Sequence, residues 1–194
     1  NGVGIWSGGK RGNIHVNNNV IKNVGLGVCI NADVASADLD NVYIYNNLFE
    51  GGPDGKSIVW IHDGPGDVDN VHIKNNIFIN SGNQTWYYGA YIYPAGHEVS
   101  GCSFTNNVVY GGDGFVYDYG PCNGFSNGVS SNYNFYPGLK YSGNAPSPYY
   151  EPNAGSNVID KATANIAPGV VITSYSGIAP DIGAYEQAAT YYVS

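Results

Sequence analysis

The chain is poor in several residue types, and each shortage limits its class. None of its 194 residues is Met, Arg11 is its one arginine, and 15 acidic residues outnumber 7 basic ones, which gives a formal net charge of −8. Phosphate backbones are bound mainly by Lys and Arg, so this balance argues against a nucleic-acid partner. No apolar run approaches the roughly 18 residues of a membrane-spanning helix, and we expect no membrane insertion. Without Met at position 1, we expect a processed form or a piece of a longer chain.

Cysteine is also scarce. The three cysteines, Cys29, Cys102 and Cys122, are too few for a disulfide framework. Strand alternation places Cys102 inward as a small buried hydrophobe. The roles of Cys29 and Cys122 stay open, and a Cys102–Cys122 bridge is an alternative. The triplet Asn83-Gln84-Thr85 matches the acceptor pattern for N-glycosylation.

Asparagine and glycine, by contrast, are abundant, with 25 and 28 copies. Four near-identical phrases, each an alternating strand ending in Asn-Asn, occupy residues 14–21, 42–49, 71–78 and 102–109, and a looser copy occupies 129–136. Their last asparagines follow one another at steps of 28, 29, 31 and 27 residues and are Asn19, Asn47, Asn76, Asn107 and Asn134. One strand per copy at this period predicts a stacked solenoid.

The asparagine column has a structural explanation. Asn tolerates the left-handed conformation of a tight corner. Its amide can also pair with the equivalent Asn on the coils above and below, so we interpret the column as a structural ladder. Alternation predicts three inward columns, which are Ile14, Val42, Val71, Cys102 and Val129; Val16, Ile44, Ile73 and Phe104; and, after the corner, Val20, Leu48, Ile77 and Val108.

A second short strand in each copy presents candidate functional residues. Alternation and spacing direct one set outward, namely Trp60, His62, Tyr91, Tyr93 and Asp118. Aromatic faces beside amides and carboxylates suit a sugar ring, so we expect this set to bind a glycan. His62 and Tyr93 are candidate base and acid for β-elimination from a uronic acid. The alternative is a Tyr-rich surface covered by loops or neighbours.

Three carboxylates fall into a further column. Asp38 and Asp67 are 29 residues apart, and a 31-residue step projects Asp67 onto Glu98. Carboxylates stacked about one strand spacing apart repel unless a cation lies among them, so they are candidate Ca²⁺ ligands. The alternative is that each Asp caps its own loop. His15 and His72 share an outward column without a third ligand, and we interpret them as surface residues.

The repeat resembles the right-handed parallel β-helix family, the fold of pectate lyases, over roughly residues 1–137. Segments 155–160 and 181–186, the second reading Asp-Ile-Gly-Ala-Tyr-Glu, look like the closing segment of secreted β-helix proteins. The resemblance implies an all-β right-handed parallel β-helix of about five to six coils. Residues 138–194 are then an irregular closing segment and β-prone tail of the same domain, crossing the last coil or running along its side. An extracellular or cell-surface location is also implied.

Two functions stay open. The catalytic sets of pectate lyases, alginate-lyase-like β-helices and polygalacturonases are not matched, and the chain begins partway round a coil. We therefore predict a non-enzymatic extracellular structural protein whose open coil edges, with the β-prone tail at 189–194, associate end to end with further copies, into fibres. The alternative is a secreted glycan-binding or polysaccharide-lyase-like β-helix, or a fragment of one, that acts on an acidic polysaccharide.

Overall fold

A computed structural model describes residues 2–53, 55–94, 99–118, 125, 128–139, 151–175 and 177–184. This part of the chain forms no helix, and thus none that is long and apolar enough to cross a membrane. Its strands, in chain order, are β1 (Val3–Ser7), β2 (Lys10–Asn17), β3 (Val20–Lys22), β4 (Val28–Ala32), β5 (Asp38–Tyr45), β6 (Leu48–Gly51), β7 (Val59–Asp63), β8 (Asp67–Lys74), β9 (Ile77–Asn80), β10 (Tyr88–Pro94), β11 (Val99–Ser100), β12 (Ser103–Thr105), β13 (Val108–Tyr110), β14 (Gly114–Asp118), β15 (Val129–Ser130), β16 (Asn165–Ala167) and β17 (Val170–Val171).

Strands β1 to β15 stack in parallel into three sheets around a common core, and β16 and β17 form a separate antiparallel pair. Sheet 1 has the order β1-β4-β7-β10-β14, sheet 2 the order β2-β5-β8-β12-β15, and sheet 3 the order β3-β6-β9-β13. Each sheet takes one strand per turn, except that β11 and β12 both pair with β8 in sheet 2, and this is the arrangement of a solenoid. The predicted parallel β-solenoid is therefore confirmed. It has about 4 turns rather than five to six, because the described chain contributes only β14 and β15 after the fourth turn.

Two positions in each turn adopt a left-handed backbone, and both are mostly asparagine. The first lies within the strand of sheet 2, where φ is 56° at Asn13, 58° at Asn41 and 53° at Asn70, and Gly101 takes this position in the fourth turn. Asn and Gly tolerate positive φ better than other residues, which accounts for these corners. The second position lies between sheets 2 and 3, one residue before the corner that the repeat predicts, at Asn18, Asn46, Asn75, Asn106 and Ser131.

The residue after the second corner builds the ladder. Asn19 Nδ2 donates to Asn47 Oδ1, Asn47 Nδ2 to Asn76 Oδ1, and Asn76 Nδ2 to Asn107 Oδ1, each at 3.0 Å. The backbone N–H of each donor residue bonds to the same oxygen. The last three of these side chains are fully buried, where an unpaired amide would be costly. The ladder thus fixes the register between turns.

The fifth repeat pairs two residues away from the predicted register. Val129 pairs with Phe104, so it leaves the predicted Ile14 column and is 44% exposed. Ser131 occupies the left-handed corner, and the next residue, Asn132, therefore accepts from the fourth ladder asparagine at 3.2 Å. The predicted fifth member, Asn134, is exposed beyond the ladder.

The rest of the first two predicted columns lies inside the solenoid. Ile14 is partly buried against this core, and the other members are buried, which are Val42, Val71, Cys102, Val16, Ile44, Ile73 and Phe104. The Cys102 thiol donates to the Ser100 carbonyl at 3.4 Å. Cys122 lies outside the described residues, so the alternative of a Cys102–Cys122 bridge is not tested.

The third predicted column lies on the outside of the solenoid instead. Two apolar residues follow each ladder asparagine, and alternation turns the first outward and the second inward. The outward residues pack in a separate apolar cluster with the C-terminal segment, and the buried ones are Leu48, Ile77 and Val108. The inward residues belong to the main core and are Ile21, Phe49, Phe78 and Val109.

The C-terminal segment, residues 151–175 and 177–184, runs along the outer face of sheet 3. Val158, Ala162 and Ile182 are its buried apolar contacts. Asn75 anchors it, since Asn75 Nδ2 donates to the Thr163 carbonyl at 2.8 Å and the Thr163 N–H donates to Asn75 Oδ1 at 3.0 Å. The candidate site lies on the outer face of sheet 1, on another side of the solenoid.

Candidate functional site

A column of aromatic side chains runs down the outer face of sheet 1. The register pairs Trp60 with Tyr91 and Tyr91 with Tyr117, and these three residues are called the aromatic column. The Trp60 and Tyr91 rings are stacked, with centroids 5.6 Å apart and planes 8° apart. The Tyr91 and Tyr117 rings are 5.1 Å apart and tilted by 40°. Tyr91 is buried by these neighbours, so the column is a rigid surface rather than a set of loose side chains.

Two exposed aromatic side chains flank this column. Tyr93 is 44% exposed, and its ring centroid is 6.3 Å from that of Trp60. Trp86 is 59% exposed and meets Tyr117 edge-on at 5.9 Å. Its φ of 58° is unusual for a bulky residue. Trp86 was not among the predicted site residues because it lies in a turn outside the strand columns; its one signal in the sequence is a tryptophan directly before Tyr87 and Tyr88.

Polar groups surround Tyr91. Lys56 Nζ lies 5.4 Å from the Tyr91 ring centroid, within cation–π range, and donates to the Trp86 carbonyl at 2.8 Å. The Tyr91 hydroxyl donates to the same carbonyl at 2.5 Å. Burial, and after it the neighbouring Tyr88, raises the pKa of Tyr91 to about 12. Tyr91 therefore stays protonated at neutral pH and acts as a hydrogen-bonding and packing group, not as a base.

The predicted acid–base pair is adjacent in register. Tyr93 on β10 is the strand partner of His62 on β7. The His62 side chain lies outside the described part of the structure, so the structure gives no distance between it and the Tyr93 hydroxyl. The catalytic roles of both residues stay a hypothesis.

Asp118 does not take its predicted place in the outward row. It pairs with Ile92, a fully buried residue of the inward row, although Asp118 itself is exposed at the end of β14, and Tyr117 takes the position beside Tyr91. The reason is the register of β14, which the sequence pattern alone did not define because Phe115, Val116 and Tyr117 are all apolar or aromatic.

The predicted carboxylate column is formed in part. Asp38 and Asp67 are strand partners, as their spacing indicated, and Lys10 Nζ lies 3.3 Å from Asp38 Oδ2. Glu98 lies outside the described residues. Within the ranges that the structure describes, no group of three or more His, Cys, Asp and Glu side chains is placed to hold a metal ion. Ca²⁺ binding here stays a prediction.

The two histidines of sheet 2 form a stack with the tyrosine between them. The Tyr43 ring centroid is 4.8 Å from that of His15 and 5.6 Å from that of His72, the latter with planes 12° apart. His72 Nδ1 lies 2.8 Å from Ser103 Oγ. Burial, and then the charge of Lys74, lowers the pKa of His72. These contacts account for both histidines as packing residues on the outer face of the sheet.

Comparisons with protein-family models, with curated proteins and with solved structures found no match for this chain.

Proposed function

We propose that the outer face of sheet 1 binds a glycan, with the aromatic column beneath it and Trp86 and Tyr93 as the exposed contacts. The observation that carries the proposal is the exposure of these two side chains, 59% and 44%, beside a rigid ring stack. Exposed apolar side chains are informative when they form one patch, and these two flank the same column, Tyr93 beside Trp60 and Trp86 beside Tyr117. Sugar rings fit such a surface, since aromatic groups receive their apolar faces and a few polar groups orient their hydroxyls.

The stack itself explains why the contacts lie at its ends. Trp60 and Tyr91 turn their ring faces towards each other, at 5.6 Å and 8°, so these faces are already covered. Exposed ring surface is concentrated at Trp86 and Tyr93. Lys56 and the Tyr91 hydroxyl supply polar groups between them, and both hold the backbone of Trp86 in place.

The resemblance of the repeats to secreted, pectate-lyase-like β-helices, including the closing segment at 181–186, supports the same proposal, although a fold alone does not define a function. Under it, the protein acts outside the cell or at its surface. Catalysis by His62 and Tyr93 is a separate hypothesis. It requires unsaturated products, seen as rising ultraviolet absorbance, from a uronic-acid polysaccharide.

Binding to a panel of neutral and uronic-acid polysaccharides, measured by affinity electrophoresis and then by calorimetry, tests the proposal. Tyr93→Ala should weaken binding about fivefold to tenfold, as expected for the loss of one aromatic contact of about 1 kcal/mol. Tyr175→Ala is the matched control, because Tyr175 is similarly exposed, at 40%, in the C-terminal segment. The proposal is wrong if no polysaccharide is retained, or if both variants bind as the unchanged protein does.

A second function, self-association into an extracellular structural assembly, is favoured by the last turn. Among the described strands, β15 pairs with β12 alone, and an unpaired strand edge is a template for another chain. Sedimentation velocity over a range of concentrations should then show growing species. Val129→Lys on β15 should suppress them, whereas Val171→Lys, at a comparably exposed valine of β17, should not. Monomers alone at high concentration would contradict this function.

A further inference from the structure

The chain contains its own example of an asparagine that binds an extended peptide. Asn75, at the corner between sheets 2 and 3, donates from Nδ2 to the Thr163 carbonyl at 2.8 Å and accepts from the Thr163 N–H at 3.0 Å. One carboxamide therefore pairs with the N–H and the C=O of a single residue. These two groups point to the same side when a residue is extended, as in a hydrogen-bonded strand pair.

Asn46 occupies the same corner one turn earlier, without such a partner. Its φ of 52° matches the 56° of Asn75, and the residue is only 6% exposed. Its Oδ1 is buried, and no hydrogen-bond donor among the described residues reaches it. A buried acceptor without a donor is unfavourable. A ligand whose N–H donates to Asn46 Oδ1 would form the hydrogen bond that the Thr163 N–H forms with Asn75 Oδ1.

A pocket lies beside Asn46. It has a volume of about 220 Å³, and Asn46, Asn18, Tyr45, Thr173 and Gly183 are among its lining residues. This volume is below the roughly 300–1,000 Å³ of sites for drug-sized ligands, and it suits a short stretch of main chain. The pocket is between the asparagine corner and the C-terminal segment, on a different part of the solenoid from the aromatic column.

We propose that this pocket binds an extended peptide segment of another chain, and that the Asn46 carboxamide pairs with the N–H and C=O of one of its residues. An acetamido sugar does not satisfy this geometry, because the N–H and C=O of a trans amide point in opposite directions. The pocket therefore recognises the main chain of the peptide, and the peptide side chains contribute less to binding.

The probe is a capped, fluorescently labelled peptide with the sequence of residues 161–167, since this stretch contains the residue that Asn75 binds. Fluorescence anisotropy with the full chain should show saturable binding. Asn46→Gly removes the carboxamide and keeps the left-handed corner, and it should weaken binding about tenfold or more, as expected for two lost hydrogen bonds. Asn106→Gly makes the same change at the corner of the fourth turn and should leave the affinity unchanged.

A second arm does not depend on the folding of any variant. The same peptide with a methylated nitrogen at its Thr has no N–H to donate to Asn46 Oδ1, and it should bind the unchanged protein about tenfold more weakly. Absence of saturable binding by the original peptide would overturn the proposal. So would equal affinity of the methylated peptide, or equal affinity of a folded Asn46→Gly protein.

Discussion

At the scale of single residues, two adjacent asparagines in each turn have different tasks. In the third turn, Asn75 adopts the left-handed corner, and Asn76 is fully buried in the ladder. The Asn-Asn repeat predicted both the corner and the ladder, but the sequence could not separate them because the two side chains are identical. In the fifth repeat, Ser131 occupies the left-handed corner in place of an asparagine. The residue after it, Asn132, therefore joins the ladder instead of the predicted Asn134.

Removing one ladder side chain should destabilise the whole solenoid. Asn76 Nδ2 donates to the carbonyls of Ile44 and Lys74 and to Asn107 Oδ1, and Asn76 Oδ1 accepts from Asn47. Asn76→Ala leaves several buried groups unpaired, each worth about 1–3 kcal/mol. We expect the free energy of unfolding in urea to fall by about 3 kcal/mol or more.

The matched control for this change is Asn134→Ala, at the exposed asparagine that the repeat predicts for the ladder. Exposed substitutions away from such networks usually change stability by less than about 0.5 kcal/mol. Similar losses of stability in the two variants would contradict the assignment of the ladder.

His72 gives the stability a pH dependence. Burial and Lys74 lower its pKa in the folded state, an effect that Asp40 partly opposes, whereas an unfolded histidine titrates near about 6.5. Below this pH the unfolded chain binds the proton more readily, so this contribution to stability is present above about pH 6.5 and is lost as the pH falls. Urea unfolding at pH 7 and pH 5 should show a smaller difference for His72→Gln than for the unchanged protein. An identical difference would exclude this role.

At the scale of elements, the strand after each corner has two apolar faces. Leu48 and Phe49 are both fully buried, but Leu48 packs against the C-terminal segment and Phe49 packs in the main core. Two consecutive apolar residues do not reveal which one faces the core. The inward column was therefore misassigned by one residue, and the C-terminal segment that covers the outward residues carries no repeat from which its path could be read.

The C-terminal segment should stabilise the solenoid through its buried face only. Ile182 is fully buried in the cluster over sheet 3, so Ile182→Ala should lower the free energy of unfolding by about 2–4 kcal/mol. Ile178 belongs to the same segment but is 89% exposed, and Ile178→Ala should change it by less than about 0.5 kcal/mol. Thermal unfolding of both variants checks this, and equal midpoints would show that the segment does not pack on the sheet.

At the scale of the whole molecule, winding brings together residues that are distant in sequence. Trp60, Tyr91 and Tyr117 come from three different turns, and their alignment follows from strand register. The repeat period was sufficient to predict the first pair. It was not sufficient for Tyr117, whose strand has no alternating pattern, or for Trp86, which reaches the surface from a turn with an unusual φ. The site was thus predictable where the repeat is regular and not where it breaks.

A disulfide between turns measures whether the turns stack residue on residue. Asp38 and Asp67 are strand partners, and neighbouring strands are about 4.8 Å apart, within the Cα separation of a disulfide. Residue 69 is two positions further along, about 8 Å from residue 38, which is too far. Peptide mapping after oxidation should find the disulfide in the D38C/D67C protein and not in the D38C/D69C protein. A disulfide in the second protein, or none in the first, would contradict the winding on which the proposed glycan site depends.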